Sequence, residues 1–216
     1  GALMVDALDA PGEPGVFGVG EKQGRGGHRL RVPAGSVILY ACRKARKGAR
    51  GEAAVLAYIA PGERRVGDGL LYDLSERLAA EGAALFGAVQ RNLVSRSDRP
   101  CDMDLSVLGG DEIVRISQSL GPGASGCRLD PDGLERAVGL ALAALERAAA
   151  VDLVIVNKFG KQEAVLGRGF RPLFAAALER EVPVLTAVTP GMEPAFLDFA
   201  GDLARPLPAE PAAMLD

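Results

Sequence analysis

Residues 151–170 read VDLVIVNKFGKQEAVLGRGF, an apolar strand that ends in Asn157, Lys158, Lys161 and Glu163. Two amines and a carboxylate at the mouth of a buried strand suit the gripping of a phosphate or another oxyanion. In an enzyme they suit phosphoryl transfer, with Lys161 and Glu163 carrying the work. A second stretch, PGERRVGDG at residues 61–69, sets Gly62 and Gly67 at the G-x-x-x-x-G spacing of a phosphate-binding loop. A working loop of that kind continues with Lys and then Ser or Thr; here Asp68 and Gly69 follow. A carboxylate at that place repels the phosphates that the lysine would neutralise. The same two glycines also fit a plain turn leading into a helix N-terminus.

Lys158, Lys161, Arg168 and Arg171 form the candidate anion-binding set with Gly62, Gly67, Asp68 and Asn157, and Arg64, Arg65 and Arg91 could join it. The bland alternatives are solvated loop arginines and a simple Lys161–Glu163 pair. Cys101 and Cys127, in CDMD and CRLD, are a sparse metal set, since they lack a histidine and carboxylates are hard company for soft metals. They read more simply as structural cysteines, with Asp102, Asp104 and Asp130 as turn or cap residues. His28 is the only histidine and lies far from these motifs, which argues against a Ser–His–Asp triad or histidine acid–base chemistry. No cofactor is specified by these patterns.

These residues need elements to hold them, and the periodicity supplies an alternating set. AAVLAYIA from Ala53 is a short buried strand, GLLYDLSERLAAEG an amphipathic helix closed by Gly82, and ALFGAVQ a second strand, together a βαβ unit. DLSVLGG and DEIVRISQ predict a hairpin turning at Gly109–Gly110, followed by the Gly- and Ser-rich loop SLGPGASGCRLD. A long helix follows with Asp130 or Asp132 as N-cap, then the strand DLVIVN, a helix over about 170–180, the strand VPVLTAV, and a last helix over about 193–203 before a Pro-rich tail. Alternation of this kind predicts an α/β sandwich with a mainly parallel sheet. Ligands of such sheets collect beyond the carboxyl ends of the strands, which points to the loops after Ala60, Gln90 and Val156.

Composition bounds the rest. The chain has 216 residues, 48% apolar and 25% charged, with net charge −3 and no Trp. One core of Ala, Leu and Val is expected, with no overall pull toward nucleic acid. No run is long enough to span a membrane and no signal segment leads the chain, so a cytoplasmic protein with free thiols is expected. Residues 1–52 are expected as a basic Gly/Pro-rich extension, 53–205 as the α/β domain and 206–216 as a tail. The basic run RKARKGAR within the extension reads as a solvated loop.

CDMDL, RISQSLGPGASGCRLD, VNKFGKQEA and GRGFR together resemble a bacterial domain family associated with molybdate-transport genes, itself similar to P-loop nucleoside triphosphatases. The resemblance spans about residues 53–204 and implies a three-layer P-loop-NTPase-like sandwich with a degenerate phosphate loop. In related small nucleoside triphosphatases an Asp-Glu-x-Gly-Lys-x-Glu string follows this strand; Asn157 and Lys158 replace the Asp-Glu pair, while Gly160, Lys161 and Glu163 match. The paired exchange predicts an ion pair between Asp68 and Lys158 across adjacent strand ends. The loss of the loop lysine, its hydroxyl and the strand-end acid, with the cations that remain, reads as a non-hydrolytic binding or regulatory module for an oxyanion or phosphorylated small molecule, and the resemblance implies a tie to molybdate or molybdenum-cofactor metabolism. The alternatives are a nucleoside triphosphatase or phosphotransferase with a rearranged site, and a scaffold that binds a partner protein while Asp68 and Lys158 fill its pocket.

Overall fold

The computed structural model describes residues 56–61, 66–92, 102–118 and 128–208. The basic extension, Gly62, Arg64, Arg65 and all three cysteines lie outside the described residues. Five strands carry the parallel part of the sheet: β1 (Leu56–Ile59), β2 (Leu85–Asn92), β5 (Leu153–Phe159), β6 (Val184–Val188) and β7 (Ala204–Pro206). The hairpin β3 (Met103–Leu108) and β4 (Ile113–Arg115) extends it antiparallel from β2, giving the order β4-β3-β2-β5-β6-β1-β7.

Side-chain alternation along the strands divides the core into two layers. Helix α1 (Val66–Ala80) covers one face, where Leu70, Leu71, Leu74 and Leu78 pack on Ala57, Ile59, Leu153, Ile155 and Leu185. Helices α2 (Pro131–Arg147), α4 (Arg171–Glu179) and α5 (Glu193–Ala200) cover the other, over Val154, Val156 and Val184. The described residues therefore form a three-layer α/β sandwich with a mainly parallel sheet; the alternation predicts the sandwich and its sheet, and the resemblance its three layers.

The local chemistry follows the expected signals at most boundaries. Asp130 caps α2, its carboxylate accepting the Asp132 N–H at 3.1 Å, with Pro131 in the first turn. Gly109, at φ +83°, turns the hairpin, and Gly82, at φ +83°, follows α1. Asp102 and Asp104 depart from the expectation of turn or cap roles. Both pair with Arg115 of β4, Asp104 from a nearly buried position, and Asp102 also faces Arg128 at 3.8 Å. The pairs tie the hairpin across its register and raise the Arg115 pKa, chiefly through the Asp104 hydrogen bond.

Three elements differ from the pattern reading. Helix α1 begins at Val66, before the predicted start at Gly69, which brings Gly67 and Asp68 into its first turn. A one-turn helix α3 (Lys161–Ala164) follows β5 directly. Strand β7, unforeseen in the pattern, joins the end of the expected domain to the first residue of the expected tail and pairs parallel to β1 from Leu56↔Ala204 to Tyr58↔Pro206. As an edge strand it accommodates proline, whose missing N–H faces no further strand.

Candidate functional site

The carboxyl ends of β1, β2, β5 and β6 converge with the first turn of α1. Gly67 makes this approach close: a Cβ there would stand 2.8 Å from the Ala187 Cβ of β6 and 3.2 Å from the Pro61 ring. Only a residue without a side chain lets the helix start sit so near the sheet. Asp68 follows in the same turn, 5% exposed, where the helix dipole favours a carboxylate.

A bulge in β5 supplies its partners. The pairing Val156↔Thr186 is followed by Phe159↔Val188, so β5 carries one residue more than β6 across that step. Strict alternation would send Asn157 toward α1, Lys158 to the opposite face, and Phe159 back toward α1. The extra residue breaks that count. Asn157 and Lys158 both reach Asp68, and Phe159 drops into the other layer against Phe174, Phe196 and Phe199.

The resulting polar set is closely bonded. The Asn157 Nδ2 donates to Asp68 Oδ1 at 3.0 Å, and its Oδ1 accepts the Gln90 backbone N–H at 2.7 Å. The same Nδ2 lies 3.4 Å from Gln90 Oε1. The Lys158 Nζ stands 3.1 Å from Asp68 Oδ1 and 3.3 Å from Oδ2, closing the anticipated ion pair. Its route is different from the one expected: Asp68 comes from the helix, and β6 lies between β1 and β5. Lys158 keeps 41% of its side chain exposed, so the pair is wet on the lysine side and dry on the carboxylate side.

The other expected residues have separate partners. Glu163, 3% exposed, accepts the Gly160 N–H on Oε2 at 2.9 Å and the Phe170 N–H on Oε1 at 3.0 Å. Burial pushes its pKa up despite those donors. The Arg171 Nε donates to the Glu163 carbonyl at 2.8 Å, and its guanidinium lies 4.9 Å from the Phe199 ring centroid. The Arg168 Nε donates to Gln162 Oε1 at 2.8 Å. Lys161 is exposed and makes no ion pair among the described residues, so the simple Lys161–Glu163 pair is absent. Arg91 lies 5.9 Å from the Tyr72 ring centroid. No group of three His, Cys, Asp or Glu side chains is arranged for a metal among the described residues.

Gln90 is the member that pattern reading passes over. It follows the apolar run of β2, 4% exposed, and a polar side chain at that place is the one available hint. Its meeting with Asn157 depends on β2 lying beside β5, which only the strand order supplies.

A family model described as "Protein of unknown function (DUF2478)" matches residues 56–216, three quarters of the chain. The chain belongs to this family. The DUF2478 domain is 40% identical over 143 residues to the molybdenum import ATP-binding protein ModC 2 of Bradyrhizobium diazoefficiens. That alignment covers 66% of this chain and only 16% of the relative, so the chain spans a minor part of that protein's length. Among solved structures, THEP1 from Aquifex aeolicus is similar at TM-score 0.49 and 18% identity, over 74% of this chain and 91% of its own. A human cancer-related nucleoside triphosphatase is similar at TM-score 0.44 and 16% identity, over 72% and 88%. Among the described residues no helix is long and apolar enough to cross a membrane.

Proposed function

We propose that the domain is a non-hydrolytic regulatory module of molybdate import, which senses an oxyanion or a phosphorylated small molecule at the rim of its crevice. The observation that carries the non-hydrolytic part is the placement of Asp68, buried at the helix start and bonded to Asn157 and Lys158. Phosphoryl transfer depends on positive charge and magnesium at the transferred group. Asp68 brings negative charge to that place, Gly69 offers no hydroxyl for the metal, and Asn157 replaces a carboxylate by an amide. Lys158, half-exposed, supplies the cation for the ligand. The link to molybdate import is supported by the likeness to part of ModC 2.

A second reading is supported by the same pair. With Asp68 and Lys158 satisfying each other at 3.1 Å, the crevice is filled by the chain itself and the domain acts through a partner protein. Thermal unfolding with ATP, GTP, each with magnesium, and with molybdate, tungstate, sulfate and phosphate separates the readings. A ligand at a hundredfold excess over Kd stabilises by about 2.7 kcal/mol, a shift of several degrees. A shift with one of the oxyanions or with a nucleotide, lost in Lys158→Met and unaccompanied by phosphate release, supports the sensing module. Absence of any shift removes the ligand and leaves the self-filled scaffold. Magnesium-dependent turnover that vanishes in Glu163→Gln would overturn both.

A further inference from the structure

We infer that the turn between α3 and α4, residues 165–168, docks on a partner protein that presents an apolar socket with an acidic rim. The inference rests on the reading that the domain serves a molybdate importer, and it names the surface by which it would do so.

Exposure singles out this face. Val165 is 62% exposed and Leu166 48%, side by side at the turn. The other large hydrophobic residues exposed to this degree among the described residues, Ile113 and Leu197, lie on β4 and α5. Loops normally expose polar side chains, so adjacent Val and Leu at a turn tip are misplaced for a surface that meets only water.

The turn is also unusually well tied down. Both oxygens of the buried Glu163 hold backbone N–H groups on either side of it, from Gly160 and Phe170. The Leu166 N–H donates to the Lys161 carbonyl at 3.2 Å, the Arg168 N–H to the Gln162 carbonyl at 3.0 Å, and Arg171 clasps the Glu163 carbonyl. Gly169 closes the turn at φ +68°, where a Cβ would stand 2.4 Å from Glu163 Oε1. A surface held in shape before binding loses little conformational entropy when it docks. Glu163 is thereby a positioning residue for the turn.

Charge states what the socket must look like. Lys161 and Arg168 flank the apolar pair, both are exposed, and neither has an acidic partner among the described residues. A rim of carboxylates on the partner would complement them and steer the encounter. Nucleic acid fits less well, because Val165 and Leu166 provide no aromatic face for bases and no donor for phosphates.

The test titrates the full chain against the purified ATP-binding protein of a molybdate importer from the same genome, at low and physiological salt. Two exposed-surface variants, Val165→Asp/Leu166→Asp and Lys161→Glu/Arg168→Glu, are first matched to the unsubstituted chain by thermal unfolding. Binding weakened at least tenfold by the apolar pair, and severalfold by the charge pair with loss of its salt dependence, is the expected result. Binding undiminished in both variants overturns the docking surface and leaves the transporter reading standing. No binding of the unsubstituted chain overturns the surface and the transporter link together.

Discussion

Consider the removal of either half of the Asp68–Lys158 pair. At 3.1 Å two unit charges attract by about 1 kcal/mol in a water-like dielectric and about 5 kcal/mol at an effective dielectric of 20. With Lys158 41% exposed, solvent screening and the entropy of its long side chain hold the net coupling near the lower end, at about 1–2 kcal/mol. Lys158→Met and Asp68→Asn keep the volumes close to native, so a double-mutant cycle reports the pair and little cavity energy. Lys158→Met leaves a buried carboxylate with the Asn157 amide as its remaining donor in this set, and should cost about 1–2 kcal/mol. The double variant should be more stable than the sum of the singles by the coupling energy. Urea unfolding at low salt measures each corner, and each kcal/mol also moves the thermal midpoint by about 2–4 °C in a domain of this size. Additivity within about 0.5 kcal/mol would refute the reasoning, because the two groups would then be neighbours without an energetic bond.

Three further outcomes are expected. Burial raises the Glu163 pKa above its unfolded value, so the folded state holds the proton more tightly. The favourable contribution is complete below the ordinary carboxylate range and is lost as pH rises through the raised folded value. Glu163→Gln should flatten this part of the urea-midpoint profile, and an unchanged slope would contradict it. Gly169→Ala should cost more than Gly167→Ala. Both have positive φ, at +68° and +65°, but only the former sets a Cβ against Glu163 Oε1, adding about 1–3 kcal/mol in denaturant melts. Gly67→Ala should destabilise by about 1–3 kcal/mol through its 2.8 Å approach to Ala187, and Ala187→Gly should recover part of that loss; equal melts of the single and double variants would sink this contact as the cause.

The fold class was legible because local chemistry and periodicity agreed. The alternation of apolar strands with amphipathic helices, the Asp130–Pro131 start of α2, and the Gly109 turn each report a short-range preference that the folded protein keeps. Where the reading departed from the structure, the deciding contact was distant in sequence. Strand β7 forms because Ala204–Pro206 finds the open edge of β1, and nothing in a Pro-rich segment announces that partner. Asp102 and Asp104 look like turn residues until Arg115 is placed across the hairpin register.

The candidate site divides in the same way. Sequence alone determined which charges stand at its two ends, since Asp68 after a glycine-spaced loop and Asn157–Lys158 after a buried strand are facts of residue type. It also determined that Asp68 and Gly69, and not a lysine and a hydroxyl residue, follow Gly67. Tertiary structure decided what those residues touch. The bulge that turns both Asn157 and Lys158 toward Asp68 is an excess of one residue counted against β6, which a single strand cannot display. The place of Gln90 depends on β2 lying beside β5, and the staple of Glu163 on the return of the chain at Phe170. Residue types specify the charges available, but pairing between segments sets their distances and burial, and electrostatic energy depends on both.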